Sequence, residues 1–475
     1  MAVLSTDHVR RVSTPTWVSR DGKIVAIGDL RAHSAQTVID ASDKIVAPGF
    51  IDAHTHDDQA LLSDPDMTCK VSQGVTTVIT GNCGISAAPL DEGMPLPMPL
   101  SLLKSPNEGR FTTFRAYLDA LRAAPATVNV AAMIGHSTLR VLIMEDVERE
   151  ANNAEILAMQ ERVEEAMQAG AIGLSTGTFY ATAMAASTAE IVAVGAPLTE
   201  YGGLYVTHMR DESDGVMTSL EETFEIGRQL DVAVVISHHK VANQQNFGRS
   251  ADTLPFIHKT MQHQCVSLDC YPYNASATML RSEPKMLTSK VLVVSSDPHP
   301  EMAGRDLDEI AAEWQVSKAD AAARLQPGSA IYFQMDENDV QRIMAFDETM
   351  IGSDGIQIGE RPHPRLWGTF PRVLGHYSRD VGLFPLETAV WKMTGLTAKN
   401  FGLAERGTIE VGKCADVVVF DPVTVRDAAN YADPTTAAEG IDIVMVNGAV
   451  AWRAGQHLHT RTGQVLKRTP GNASK

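Results

Sequence analysis

Eight short apolar runs, several followed by helix-forming text, constrain this chain more than any other feature. They occupy residues 45–56, 74–83, 128–136, 171–177, 204–210, 232–240, 266–273 and 349–355. Most are near-continuous Val, Ile, Ala and Leu rather than strict alternations, the pattern of parallel strands buried on both faces. Between them, 151–169 (ANNAEILAMQERVEEAMQA) and 220–230 (LEETFEIGRQL) repeat apolar residues at helical spacing with charges opposite. Strand alternating with helix eight times predicts an α/β fold, a closed (β/α)8 TIM-like barrel. An open doubly wound sheet is the alternative, but no Gly-rich phosphate loop follows a strand to support it.

The chain ends read differently. SRDGKIVAIGDL and DASDKIVAPGF near the start, and GTIEVGKCADVVVFDP and GIDIVMVNGAVAW near the end, are strand-and-turn text with Asp-Gly and Asn-Gly hairpin signals. Residues 1–48 and 405–475 are therefore expected to form one small β-sandwich domain flanking a catalytic barrel at 49–404. An insertion at about 281–347, with helices predicted over 305–314 and 318–325, lies where a barrel builds active-site loops and is read as a substrate-covering lid.

With 475 residues, 44% of them hydrophobic, the chain suits one large domain plus a small one. A formal net charge of -18 argues against nucleic acid as a partner, while leaving room for a locally basic pocket and a small anionic substrate. Five scattered cysteines make no disulfide framework and suggest a reducing compartment. The N-terminal text lacks the apolar core of a signal peptide, and no apolar stretch reaches the roughly 18 residues needed to span a bilayer. A cytoplasmic protein with no membrane partner is expected, and a monomer is the simplest oligomeric state.

Residues capable of chemistry fall at the ends of the runs. His54 and His56 close the first, Cys83 the second, His208 the fifth, His238 and His239 the sixth, and Asp354 the eighth. Barrel enzymes place their chemistry at the C-terminal ends of strands. Residues i and i+2 of a strand share a face, so both imidazoles of His54-Thr55-His56 can reach one centre. Cys83 alone would read as a small core residue, but beside four histidines it reads as a thiolate ligand, which suits Zn²⁺ over Mg²⁺. His238 and His239 point to opposite faces, and the pattern does not choose between them. Asp354, in MIGSDG, is the general acid/base candidate beside a metal-bound water; the plainer reading is a turn aspartate before Gly355. His136, closing the third run, supports the site from behind or serves structure alone. Cys69, Cys265, Cys270 and Cys414 have no such company and read as structural.

At these residues the chain resembles the N-acyl-D-amino-acid deacylase (D-aminoacylase) family of the amidohydrolase superfamily. The text that carries the resemblance is APGFIDAHTHDD, QGVTTVITGNCGISAAPL, GAIGLSTGTFY, YVTHMRDE, VVISHHK, MIGSDG and RPHPRLWGTFPRVLG, in family order, with GTIEVGKCADVVVFDP in the tail. The resemblance implies zinc-dependent hydrolysis of the amide of an N-acyl-D-amino acid to a carboxylate and a free D-amino acid. It implies Cys83, His208 and His238 as ligands of one tightly held Zn²⁺, choosing His238 over His239. His54 and His56, with Cys83, match a second and weaker metal position, and Asp354 matches the catalytic carboxylate. Lys240 and Tyr271 match groups that hold the substrate's α-carboxylate, and Arg365 matches another arginine of the pocket. Three departures stand out: Ala277 where the family often has serine, a variable MLRSEPK segment, and a start before Arg20 that lacks the family's usual first strands.

A cyclic-amide hydrolase of hydantoinase or dihydroorotase type is the nearest rival. Those enzymes bridge two metals with a carbamylated lysine at the end of the fourth strand, where this chain reads LSTG. A deaminase shares the fold but not these segments, and a non-catalytic scaffold would be expected to have lost ligands that this chain retains.

Overall fold

The computed structural model describes residues 2–5, 10–13, 16–30, 34–103, 110–359 and 361–469, with side chains from residue 16 onward. Eight parallel strands make a barrel: Phe50–Asp52 (β1), Val75–Thr80 (β2), Asn129–Ala132 continued by Ile134–Gly135 (β3), Gly173–Gly177 (β4), Leu204–His208 (β5), Ala233–Ile236 (β6), Val266–Cys270 (β7) and Thr349–Ile351 (β8). Each pairs with the next in sequence. The seam between β8 and β1 is closed by Ala53 N–H donating to the Ile351 carbonyl at 3.2 Å and Asp354 N–H donating to the His54 carbonyl at 2.8 Å. Ile51, Ile79, Ala131, Val206, Val235 and Met350 fill the barrel, and the helix Gly395–Phe401 plugs its N-terminal mouth with Leu396 and Phe401. Such an interior is a packed core rather than a pore, which leaves the C-terminal rim as the place for a site.

The first apolar run is not one barrel strand, as its length suggested. Ile45–Pro48 belongs to the terminal β domain, and only Phe50–Asp52 enters the barrel. The break is at Gly49, where a side chain would collide with Thr76 of β2, so the chain can cross between the two sheets only at a residue without Cβ.

Seven strands of the small domain form one sheet in the order Arg10–Ser13, Ala2–Ser5, Ile45–Pro48, Val417–Phe420, Ile441–Val446, Ala449–Arg453, Gln456–His457. The hairpin Thr16–Arg20/Lys23–Gly28 packs on it through Trp17 and Ile24 against Val46, Val417, Val419 and Ile443. Both hairpin signals are realised as turns with positive φ at both central residues, Asp21-Gly22 (51° and 76°) and Asn447-Gly448 (48° and 82°). The segment before Arg20 does supply first strands, correcting the expectation drawn from its text. Ala2–Ser5 pairs in parallel with Ile45–Pro48, and a backbone ladder along an existing strand does not demand one particular sequence. The tail then returns beneath the barrel, where Val465 bridges Val130 of β3 and Gln464 N–H donates to the Asn129 carboxamide.

Between β7 and β8 the chain builds a separate layer. Ser276–Met279, Gly328–Tyr332 and Val291–Ser296 form an antiparallel sheet under the helices Leu307–Trp314 and Lys318–Leu325. Val291, Val293, Leu307, Ile310, Leu325 and Tyr332 give it a core of its own.

Candidate metal centre and active site

The strand ends deliver the sequence candidates to one place. His54 and His56 follow β1, Cys83 follows β2, His208 ends β5, His238 follows β6 and Asp354 follows β8; every one is buried. Cys83, His238 and Asp354 hold left-handed backbone, with φ of 55°, 36° and 49°. Non-glycine residues adopt that region at a cost of order 1–3 kcal/mol each, and such strain clusters where the surrounding fold fixes a functional side chain.

The ligand-type atoms form a continuous cluster. Cys83 Sγ lies 3.3 Å from both His54 Nε2 and His238 Nε2. His56 Nε2 and His54 Nε2 approach Asp354 Oδ1 at 3.2 and 3.6 Å. The rings of His208 and His238 are 4.4 Å apart between centroids. Within this cluster three triads have ligand atoms within 4.8 Å of one another: His54/Cys83/His238, His54/His56/Asp354 and His208/Glu212/His238.

Electrostatics agree with a site built for cations. Burial alone would raise the Cys83 thiol, yet His54 and His238 hold it well below the ordinary thiol range. Burial likewise opposes ionisation of Asp354, but Arg365, whose Nη2 sits 2.9 Å from Oδ2, and then His56 keep it well below the usual carboxylate range. His56 is raised to about 9, against burial, by Asp354 and Cys83. Neither ring nitrogen of buried His208 makes a hydrogen bond of good geometry. A buried imidazole with two unsatisfied nitrogens, beside a thiolate, fits a borderline-soft metal ion and is costly without one.

Other candidates are sorted by their neighbours. His239 faces away, its Nε2 2.9 Å from Thr253 Oγ1, and burial lowers it to about 4. His136 lies in a buried group with Glu190 (3.3 Å) and Arg140, away from the cleft. Lys240 reaches the cleft, but Nζ is 2.8 Å from both oxygens of Glu212, so its charge is already balanced. Tyr271 lies under Lys240 and Arg365, whose cations are 5.7 and 4.5 Å from its ring centroid. Arg365 also donates to the Ala277 carbonyl at 3.2 Å, and its Nε and Nη1 are buried without partners.

Three supporting groups escaped the sequence reading. Glu212, four residues after His208, touches His208, His238 and Lys240. Asp269 accepts the His238 N–H at 2.9 Å and faces His54 Nδ1 at 3.5 Å. Lys70 lies beneath the β1/β8 seam, with Nζ 2.9 Å from Asp52 Oδ2, 3.2 Å from Asp57 Oδ2 and 2.9 Å from Ser353 Oγ. The signal for Asp52 and Asp269 was a carboxylate inside a buried strand, which needs a partner. Nothing local announced Lys70, which lies in sequence far from Ser353.

The cleft above the cluster opens to solvent and has an internal cavity volume of about 80 Å³. Its side-chain wall includes Phe179, Tyr180, Met286, Tyr332 and Ile356. Arg281 stands over Phe179 at 5.3 Å, but Glu283 binds its guanidinium in a fork at 2.7–3.2 Å.

Comparison with known proteins places this geometry. The model of the amidohydrolase family matches residues 37–255 and 303–451. A D-aminoacylase of Alcaligenes xylosoxydans xylosoxydans is 59% identical over 450 residues, covering 95% of this chain and 93% of the relative. A solved D-aminoacylase, described through its binuclear metal centre with one metal activating and the second attenuating, superposes with a TM-score of 0.96 at 56% identity over 98% of each chain. An N-acyl-D-glutamate deacylase from Bordetella bronchiseptica, solved with zinc and a phosphonate that mimics the tetrahedral intermediate, superposes with a TM-score of 0.92 at 45% identity over 98% of each chain. The chain belongs to the amidohydrolase family and, within it, to the D-aminoacylases.

Proposed function

We propose that this chain hydrolyses the amide of N-acyl-D-amino acids with Zn²⁺ held by Cys83, His208 and His238, and a second, weaker metal position at His54, His56 and Cys83. The observation that carries the reading is the gathering of one thiol, four imidazoles and Asp354 into one continuous cluster at the strand ends, with both nitrogens of buried His208 unsatisfied. The zinc-containing deacylase above supports the choice of metal. Bound zinc would polarise the amide carbonyl and make a bound water acidic enough to ionise near neutral pH.

The chain's own residues do the rest. Asp354 is ionised at working pH because Arg365 holds its other oxygen, so it can take a proton from water. The same carboxyl then donates that proton to the leaving nitrogen, releasing a D-amino acid and a carboxylate. The third N–H of Lys240 is a donor for the substrate α-carboxylate beside Tyr271, and Arg365, buried behind Asp354, adds positive charge to that side of the cleft. Phe179, Met286 and Ile356 favour a neutral, apolar substrate side chain, since the nearby Arg281 is already neutralised by Glu283. All these groups come from one chain, so a monomer suffices. No helix among the described residues is long and apolar enough to cross a membrane, and five free cysteines support the cytoplasm as its compartment.

A panel of N-acetyl-D- and N-acetyl-L-amino acids, read by released amine, tests the reading. Hydrolysis of D-methionine and D-leucine derivatives is expected; turnover of L-substrates alone would overturn it.

A further inference from the structure

His238 stands between neighbours of opposite hydrogen-bonding capacity. Its Nδ1 lies 3.0 Å from Glu212 Oε1 and 2.7 Å from Lys240 Nζ, while Nε2 points to Cys83 Sγ at 3.3 Å. A carboxylate only accepts and an ammonium only donates, and a neutral imidazole carries one proton. If Lys240 donates to Nδ1, the ring proton must sit on Nε2, aimed at Cys83, and Nε2 has no lone pair for a metal. If Nδ1–H donates to Glu212, the Nε2 lone pair faces the cluster. Both oxygens of Glu212 also take Lys240 at 2.8 Å, which engages two of the ammonium's three protons and leaves one to compete for the ring or to serve the cleft.

We infer that Glu212 is a positioning residue that fixes His238 as its Nδ1–H tautomer against the pull of Lys240, and so presents Nε2 to the metal. The inference rests on the zinc reading above and adds a reason for the carboxylate in YVTHMRDE. One glutamate thereby couples a metal ligand to the cation offered to the substrate. Outer-sphere carboxylates of this kind typically change metal affinity by about 10–100-fold.

Two measurements on the holoenzyme test it. In protein labelled with ¹⁵N-histidine, and with His238 assigned from the His238→Asn spectrum, the proton is expected on Nδ1; a proton on Nε2 overturns the inference without any change at Glu212. Zinc release to a chromophoric chelator is then compared for wild type, Glu212→Gln, Glu212→Asp, Lys240→Met and Glu212→Gln/Lys240→Met. Gln is expected to release zinc about 10–100-fold faster and Asp, which still only accepts, to stay nearer wild type. Removing Lys240 should slow release much more in the Gln background than in wild type, because only there does the ammonium set the tautomer. Equal effects of Lys240→Met in both backgrounds, or unchanged release from Glu212→Gln, refute the inference. A wild-type protein that purifies with no zinc would instead refute the reading of the site.

Discussion

Replacing Lys70 with methionine probes the ionic support beneath the β1/β8 seam. Lys70, Asp52 and Asp57 are fully buried, and the ammonium bridges both carboxylates and Ser353 Oγ. Deleting one partner of a buried ionic group leaves uncompensated charge and costs about 3–5 kcal/mol. Methionine recovers little, because the lysine stem is already out of water; one further apolar group is worth about 0.8 kcal/mol. A net loss of about 2–4 kcal/mol is expected, read as a lower urea midpoint by tryptophan fluorescence. The pH dependence has a definite sign. Burial already raises Asp57, and Lys70 is the chief influence opposing it. Without the ammonium, the folded-state carboxyl rises further above its unfolded value, so the variant's stability is better below the unfolded value and falls as pH rises through the folded one. The deficit should therefore be largest at neutral and alkaline pH and shrink toward acid, as the raised carboxyl takes up its proton. A deficit that is absent, or that grows toward acid, would refute the account of Lys70 as a counter-ion.

Asp354→Asn should abolish turnover while elemental analysis still finds bound zinc; appreciable activity would remove Asp354 from proton transfer. Cys83→Ser is expected to lower zinc content sharply, because the thiolate stands between His54 and His238, whereas His56→Asn should cut activity more than tight zinc. Equal zinc loss in both would overturn the division into two metal positions. Glu283→Gln frees Arg281 near the cleft and should raise kcat/KM for N-acetyl-D-glutamate relative to N-acetyl-D-methionine by roughly tenfold, a transition-state difference of about 1.4 kcal/mol; an unchanged ratio would show that Arg281 does not face the substrate side chain.

What could be read from the sequence was what local pattern encodes. Buried parallel strands have a compositional signature, so the eight barrel runs were visible, and a histidine or cysteine at the end of such a run stands out against its apolar neighbours. The domain boundary drawn at 48/49 falls on the split, yet the run 45–56 itself shows no break, because both halves are equally apolar and only the side chain of Thr76, from the next strand, requires glycine at 49. Choosing between His238 and His239 needed either the resemblance or the packing of Thr253 against the latter. Glu212, Asp269 and Lys70 lay outside the pattern because each acts on residues brought near by the fold. The Arg365–Asp354 pair was missed for the same reason, although both members were named.

The way the two chain ends enclose the barrel has a consequence for synthesis. All eight barrel strands have been made once residue 351 is translated. Yet Ile45–Pro48, which leads directly into β1, finds its antiparallel neighbour only in Val417–Phe420. Gln464 meets Asn129 from 335 residues away. Until residues 417–464 leave the ribosome, the strand that leads to His54 and His56 has one open edge, and the underside of β3 is bare. Contacts of such long separation are slow to form, and exposed strand edges invite association with other chains. The rim at the strand ends is therefore expected to acquire its final shape only after residue 464 has been made, and truncations before residue 417 that spare every candidate ligand should still yield aggregated, metal-poor protein.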